Sequence, residues 1–102
     1  MNISINAIHF RASSSLISFV QNRINTLKRF NSRIESARIH LRLENDRRKK
    51  NKVAEICVHL PGRDLVVKKR AETFEKSLSS AQLTIGRLLS RSNRKAKTLK
   101  KQ

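Results

Sequence analysis

Two runs of residues alternate strictly between apolar and polar, and a single loop separates them. In Ser36–Glu44, Ala37, Ile39, Leu41 and Leu43 point one way while Arg38, His40, Arg42 and Glu44 point the other. After the loop, Ala54, Ile56, Val58 and Leu60 alternate with Glu55, Cys57 and His59. A period of two places each apolar set on one face of a half-buried strand. The loop between them, Asn45 to Asn51, is polar and basic and reads as a hairpin connection. Leu60-Pro61-Gly62-Arg63 then forms a tight turn, because proline presets its own φ and glycine permits the positive φ that follows. The turn leads into a third strand, Asp64 to about Ala71. Three antiparallel strands with one apolar face demand a cover for that face.

Two helical stretches can supply the cover. In Thr73–Arg91, the residues Phe74, Leu78, Ala81, Ile85 and Leu88 recur at steps of four and three, so they share one helical face. Lys76, Arg87, Arg91 and Arg94 fall on roughly the opposite side. The other helix starts from the hydroxyls of Ser13 to Ser15 and runs to about Phe30. Leu16, Val20, Ile24 and Leu27 form its inner face, with Ile17 and Phe30 on the flanks. Arg29 and Arg33 point outward, Lys28 sits to one side, and Arg23 lies at the apolar border. The chain opens with a strand over Asn2 to Phe10, in which Ile3, Ile5 and Ala7 alternate with Ser4 and Asn6. Ile8 and Phe10 shift that phase and predict a bend near His9.

The expected order is therefore β-α-β-β-β-α, an α+β domain over residues 1–92 with a four-stranded mixed sheet and both helices on one face. The first strand reaches the second through a helix, so that pair should be parallel with a right-handed crossover. Residues 93–102 read as a basic tail, helical only in its first part and frayed beyond.

Charge narrows the function. The net charge is +17, from 24 bases and 7 acids. Residues 1–34 hold Arg11, Arg23, Lys28, Arg29 and Arg33 and no acid; from Lys76 to Gln102 every charged residue is a base, Lys95 in the tail among them. The acids Glu35, Glu44, Asp46, Glu55, Asp64, Glu72 and Glu75 all lie between. Two like-charged segments repel each other unless a polyanion lies against them, and RNA suits such a surface. There is no Trp or Tyr, and the four phenylalanines fall mostly on or beside helix-packing faces, so bases should not stack on the sheet. Binding through phosphates and shape remains, with the helices making the contact.

Catalysis is not expected, because no nucleophile–base pair, metal cage or paired carboxylates can be assembled. His40 and His59 could approach Cys57 on the open sheet face, but half-exposed polar surface is the plainer reading. Two glycines cannot make a phosphate-cradling loop, and one cysteine forms no internal disulfide. No metal or cofactor is expected. With no apolar run long enough for a bilayer and no signal-peptide pattern, the expected location is the cytoplasm.

The residues also carry a resemblance. Ile5-x-Ala7-Ile8-His9-Phe10-x-Ala12 is followed by Leu16-x-x-Phe19-Val20-x-x-Arg23-Ile24-x-x-Leu27-x-Arg29-Phe30. Then come Leu43-Glu44-Asn45, Val53-Ala54-Glu55-Ile56, and Pro61-Gly62-x-Asp64-Leu65-x-Val67-Lys68-Lys69. Ala71-x-Thr73-Phe74-Glu75 and Ile85-x-Arg87-x-Leu89-x-Arg91 complete the set. In order and spacing the chain resembles the bacterial ribosome hibernation-promoting factors, or ribosome-associated translation inhibitors (the sigma-54 modulation proteins), over roughly Asn2 to Lys97. The resemblance implies a fold similar to a double-stranded-RNA-binding domain. It also implies a place on the 30S subunit, against 16S rRNA and neighbouring ribosomal proteins at the decoding region. There such proteins compete with mRNA and tRNA and stop translation in stationary phase or stress, within 70S or 100S ribosomes.

Carried onto matching positions, the implied rRNA contacts are Arg23, Arg29, Lys68, Lys69, Arg87 and Arg91, to which the charge pattern adds Lys28, Lys76, Arg94 and Lys95. The chain ends without the extra dimerisation domain of long members, so it resembles the short form and is expected to be monomeric when free. Two departures stand out. Gly86 occupies a position expected to be basic, at a cost to the helix of up to about 1 kcal/mol relative to alanine, and Leu83 is an apolar residue on the outer side. The alternative from a different class is a general double-stranded-RNA-binding or ribosome-assembly protein, which would bind free duplex RNA as well as it binds ribosomes.

Overall fold

The computed structural model describes residues 1–44 and 51–100, except for the side chains of 93–100. The expected order is present. It runs β1 (Asn2–Ile8), α1 (Ser14–Asn25), β2 (Ser36–Leu43), β3 (Lys52–Leu60), β4 (Arg63–Ala71) and α2 (Phe74–Lys100). The sheet is ordered β1-β2-β3-β4, with β1 parallel to β2 and the remaining neighbours antiparallel. The β2–β3 hairpin is closed by a bond from the Glu44 amide to the Asn51 carbonyl at 2.8 Å. Most of the basic loop expected there, residues 45–50, lies outside the described residues. Gly62 has φ +84°, as the Pro61-Gly62 turn requires.

Register turns the alternation into rows. Ile3, Ala37, Val58 and Leu65 make one row across the sheet, and Ile5, Ile39, Ile56 and Val67 make the next. Both rows belong to the core that the helices cover. The opposite face carries Ser4, Arg38, Cys57 and Val66, then Asn6, His40, Glu55 and Lys68. Val53 also lies on that open side, yet it is buried. Its cross-strand neighbours are Arg42 and Arg70, and long arginine stems cover apolar surface well.

The bend expected in the first strand falls on His9, which has φ +70°. It redirects the chain so that Phe10 stacks on Phe74 at the start of α2, with ring centroids 4.5 Å apart. Ser13 caps α1 by accepting from the Leu16 amide at 3.1 Å. Leu16, Val20, Ile24 and Leu27 are buried as their spacing predicts. The helix does not continue unbroken to Phe30, however. It ends at Asn25 and tightens into a 3₁₀ turn over Thr26–Arg29. The Thr26 hydroxyl donates to the Arg23 carbonyl at 2.6 Å, a local bond of the kind that competes with regular helix.

Thr73 caps α2, its hydroxyl accepting from the Lys76 amide at 3.1 Å. Leu78, Ala81 and Ile85 are fully buried, but Leu89 rather than Leu88 completes the stripe. From Ile85, steps of three and four both return near the inner face, and the neighbouring elements choose between them. Leu88 is half-buried at the sheet edge beside Leu65 and Arg63. The helix also runs on to Lys100, beyond the first residues of the tail, where the expected helix ends. Residues 93–100 contain no glycine or proline and several strong helix formers, so no local signal ends it earlier.

Candidate nucleic-acid interface

The two helices meet along a seam held by side-chain amides. Gln82 Nε2 donates to the Arg23 carbonyl at 3.1 Å and to Thr26 Oγ1 at 2.7 Å. Both partners lie where α1 ends and has carbonyls left over, so the α2 side chain satisfies groups that the first helix cannot. Further along, Asn31 is buried and donates from Nδ2 to the Leu89 carbonyl at 3.3 Å, while its Oδ1 accepts from the Arg33 amide at 2.9 Å. These bonds fix the end of the first helical stretch against the middle of α2. Arg23, Lys28 and Arg29 are exposed on one side of the seam, and Arg87 and Arg91 on the other. The Arg23 guanidinium sits 5.1 Å from the Phe19 ring centroid, a cation–π contact that holds the border arginine in place.

Phe30 closes the seam. Three consecutive carbons of its ring lie 3.3–3.5 Å from where a Cβ on Gly86 would stand. Gly86 is therefore not a weakened surface position, as the sequence suggested, but a buried notch that lets an aromatic ring lie against the helix. Ring and helix enclose a groove of about 430 Å³, lined further by Gln82, Leu83, Arg87, Ser90 and Arg91. Sequence reasoning assigned Phe30 to a flank and did not select Gln82. The available signal was the pairing of an apolar flank residue with a glycine where a base was expected.

The remaining site residues are not gathered here. Lys68 and Lys69 are adjacent on β4, so their side chains leave opposite faces of the sheet. Lys68 lies in the open-face row with Glu55, and Lys69 pairs with buried Ala54 on the helix side. Lys76 shares the outer stripe of α2 but stands eleven residues before Arg87, about 16 Å along the axis at 1.5 Å per residue. It lies 4.0 Å from Glu72. The backbone at Arg94 and Lys95 continues α2, and their side chains lie outside the described ones.

The open face of the sheet is electrically mixed. His59 on β3 bonds through Nδ1 to Asp64 at the start of β4 and through Nε2 to Glu35 before β2, the latter at 3.1 Å. The Asp64 hydrogen bond holds the imidazole above its ordinary value of 6.5, with the Asp64 and Glu35 charges adding to the shift. An imidazolium donates from both nitrogens, so this bridge is complete below pH 6.5. It is lost as pH rises through the raised value. The His59 ring should therefore titrate by NMR with a midpoint above 6.5, and Asp64→Asn should bring that midpoint down. Burial and the nearby Asp64 push the Cys57 thiol up, keeping it protonated at neutral pH. Among the described residues no group of three or more His, Cys, Asp or Glu is placed to hold a metal ion, and no helix is long and apolar enough to cross a membrane.

Known structures share this architecture. A ribosomal subunit interface protein from Coxiella burnetii superposes with a TM-score of 0.82 at 16% identity, over 92% of this chain and 99% of that one. The N-terminal domain of Thermus thermophilus Protein Y gives a TM-score of 0.76 at 21% identity, over 89% and 98% of the two chains. At these identities the likeness establishes the fold. No curated protein sequence matches the chain. The family model for sigma 54 modulation protein / S30EA ribosomal protein matches residues 3–97, nearly the whole sequence. With that match, and with the strand order and helix placement expected of it, the chain belongs to the sigma 54 modulation protein / S30EA ribosomal protein family.

Proposed function

We propose that this protein silences translation by binding the small ribosomal subunit at the decoding region, where it excludes mRNA and tRNA. The observation that carries the reading is the seam. Gln82 and Asn31 lock two helices side by side, one carrying the exposed Arg23, Lys28 and Arg29 and the other the exposed Arg87 and Arg91. Cations carried on a scaffold that is already fixed cost less to order against a fixed phosphate backbone, and structured rRNA supplies one. Family membership supports association with the ribosome. The Coxiella protein is described as a ribosomal subunit interface protein, and a position at such an interface would bring the cationic helices against 16S rRNA. Lys69 on the helix side of β4 and Lys76, Arg94 and Lys95 on α2 would extend the contact, whereas Lys68 leaves from the opposite face of the sheet. The bound state would persist in 70S or 100S ribosomes of resting or stressed cells.

The deciding experiment mixes the purified protein with 30S subunits carrying a labelled tRNA and an mRNA, in low-salt buffer. Stoichiometric cosedimentation with release of the tRNA is expected. Binding that leaves the tRNA in place would remove the inhibitory mechanism, and equal affinity for free duplex RNA would favour a general RNA-binding protein instead.

A further inference from the structure

The groove between Phe30 and α2 has a chemistry that phosphate binding alone does not use. We infer that it takes a single unstacked RNA nucleotide, with the base against the Phe30 ring and the adjoining phosphate between Arg87 and Arg91. The inference rests on the proposed RNA partner and specifies what part of that RNA is recognised.

Phe30 keeps 41% of its surface exposed although its ring is seated on Gly86, so it is both anchored and accessible. A ring seated against a helix is a better platform than a freely rotating one, because stacking then costs less ordering. Leu83, 66% exposed, extends the apolar floor. The volume of about 430 Å³ falls among small-ligand sites, which span about 300–1,000 Å³. Polar groups stand at the edges. Gln82 spends Nε2 on Arg23 and Thr26, which fixes the amide and leaves Oε1 to accept from a base amino group. Ser90 adds a hydroxyl.

The charge fits an anionic ligand as well as an aromatic one. After Glu75, α2 carries no acid, and neither Arg87 nor Arg91 is ion-paired with a described residue. A continuous duplex hides its base faces in the stack, so this combination selects a bulged or looped nucleotide. The sequence expectation concerns stacking on the sheet; the platform proposed here lies at the helix seam instead.

The test compares two RNA hairpins that differ only by one bulged nucleotide, binding the full chain in low salt. Wild type should prefer the bulged hairpin. Phe30→Leu should bind it about tenfold more weakly while binding the paired hairpin unchanged. Phe30→Tyr, which keeps the ring, should retain the preference. With 5-iodouridine as the bulged base, irradiation of the wild-type complex should place the crosslink on Phe30. If F30L weakens both RNAs equally or neither, or if the crosslink forms elsewhere, the nucleotide site is refuted while the RNA reading stands. A protein side chain as the natural occupant would give that same indifference to the bulge. Failure of wild type to bind either hairpin or 30S subunits would overturn both.

Discussion

Replacing Arg87 and Arg91 together by glutamate is expected to lower affinity for small ribosomal subunits by about 10³-fold, with little change in thermal stability. Both side chains are exposed and neither is ion-paired with a described residue, so the fold loses no ion pair with them. Placing two acids on a cationic helix that carries no acid after Glu75 relieves self-repulsion in the free protein. Against RNA the same change removes two phosphate partners and adds two repulsive charges. The double alanine variant gives a cleaner measurement: each lost phosphate contact should flatten the dependence of log affinity on log salt by about 1, hence about 2 for the pair. Unchanged binding of the glutamate variant, with an unchanged melting curve, would mean that α2 is not the RNA-facing element.

Leu89→Ala should be the most destabilising of the substitutions considered, at about 2–5 kcal/mol. The side chain is fully buried in the core at the point where Asn31 ties the first helical stretch to α2. For a domain of this size each kcal/mol moves Tm by about 4–8 °C, so a fall of at least about 8 °C is expected. Leu88→Ala, one position away and only half-buried, should cost much less. The pair discriminates between two rotations of the same helix, because the apolar spacing alone admits either Leu88 or Leu89. Equal melting temperatures for the two variants would contradict the placement of α2 described above. A larger loss at Leu88 would reverse it.

Period-two alternation is a local property, and it settled much of this molecule before any tertiary contact was considered. The runs Ser36–Leu43 and Lys52–Leu60 pair in the register that puts Ile39 against Ile56, and the Pro61-Gly62 turn adopts the positive φ its residues call for. The cap at Ser13, the bend at His9 and the cationic outer stripe of α2 were equally legible, because each depends on residues within a turn or two of one another. Strict alternation also implies that Lys68 and Lys69 diverge. A list of bases in sequence order conceals this, and the register makes it plain.

What remained was decided by residues far apart in the chain. Gln82 meets Arg23 and Thr26 from 59 and 56 positions away, and Asn31 reaches Leu89 across 58. Gly86 is a notch only because Phe30 falls into it, and without that ring the glycine reads as a defect in a basic helix. An amphipathic pattern fixes a helix face to within about one residue's rotation of 100° and does not say which neighbour will lie on it. Hence the sequence determined a cationic two-helix cover over a four-stranded sheet. Tertiary packing decided which leucine is buried, where the first helix tightens, and that an aromatic ring stands beside two arginines, because only the assembled neighbours exclude water from one side of each residue and not the other.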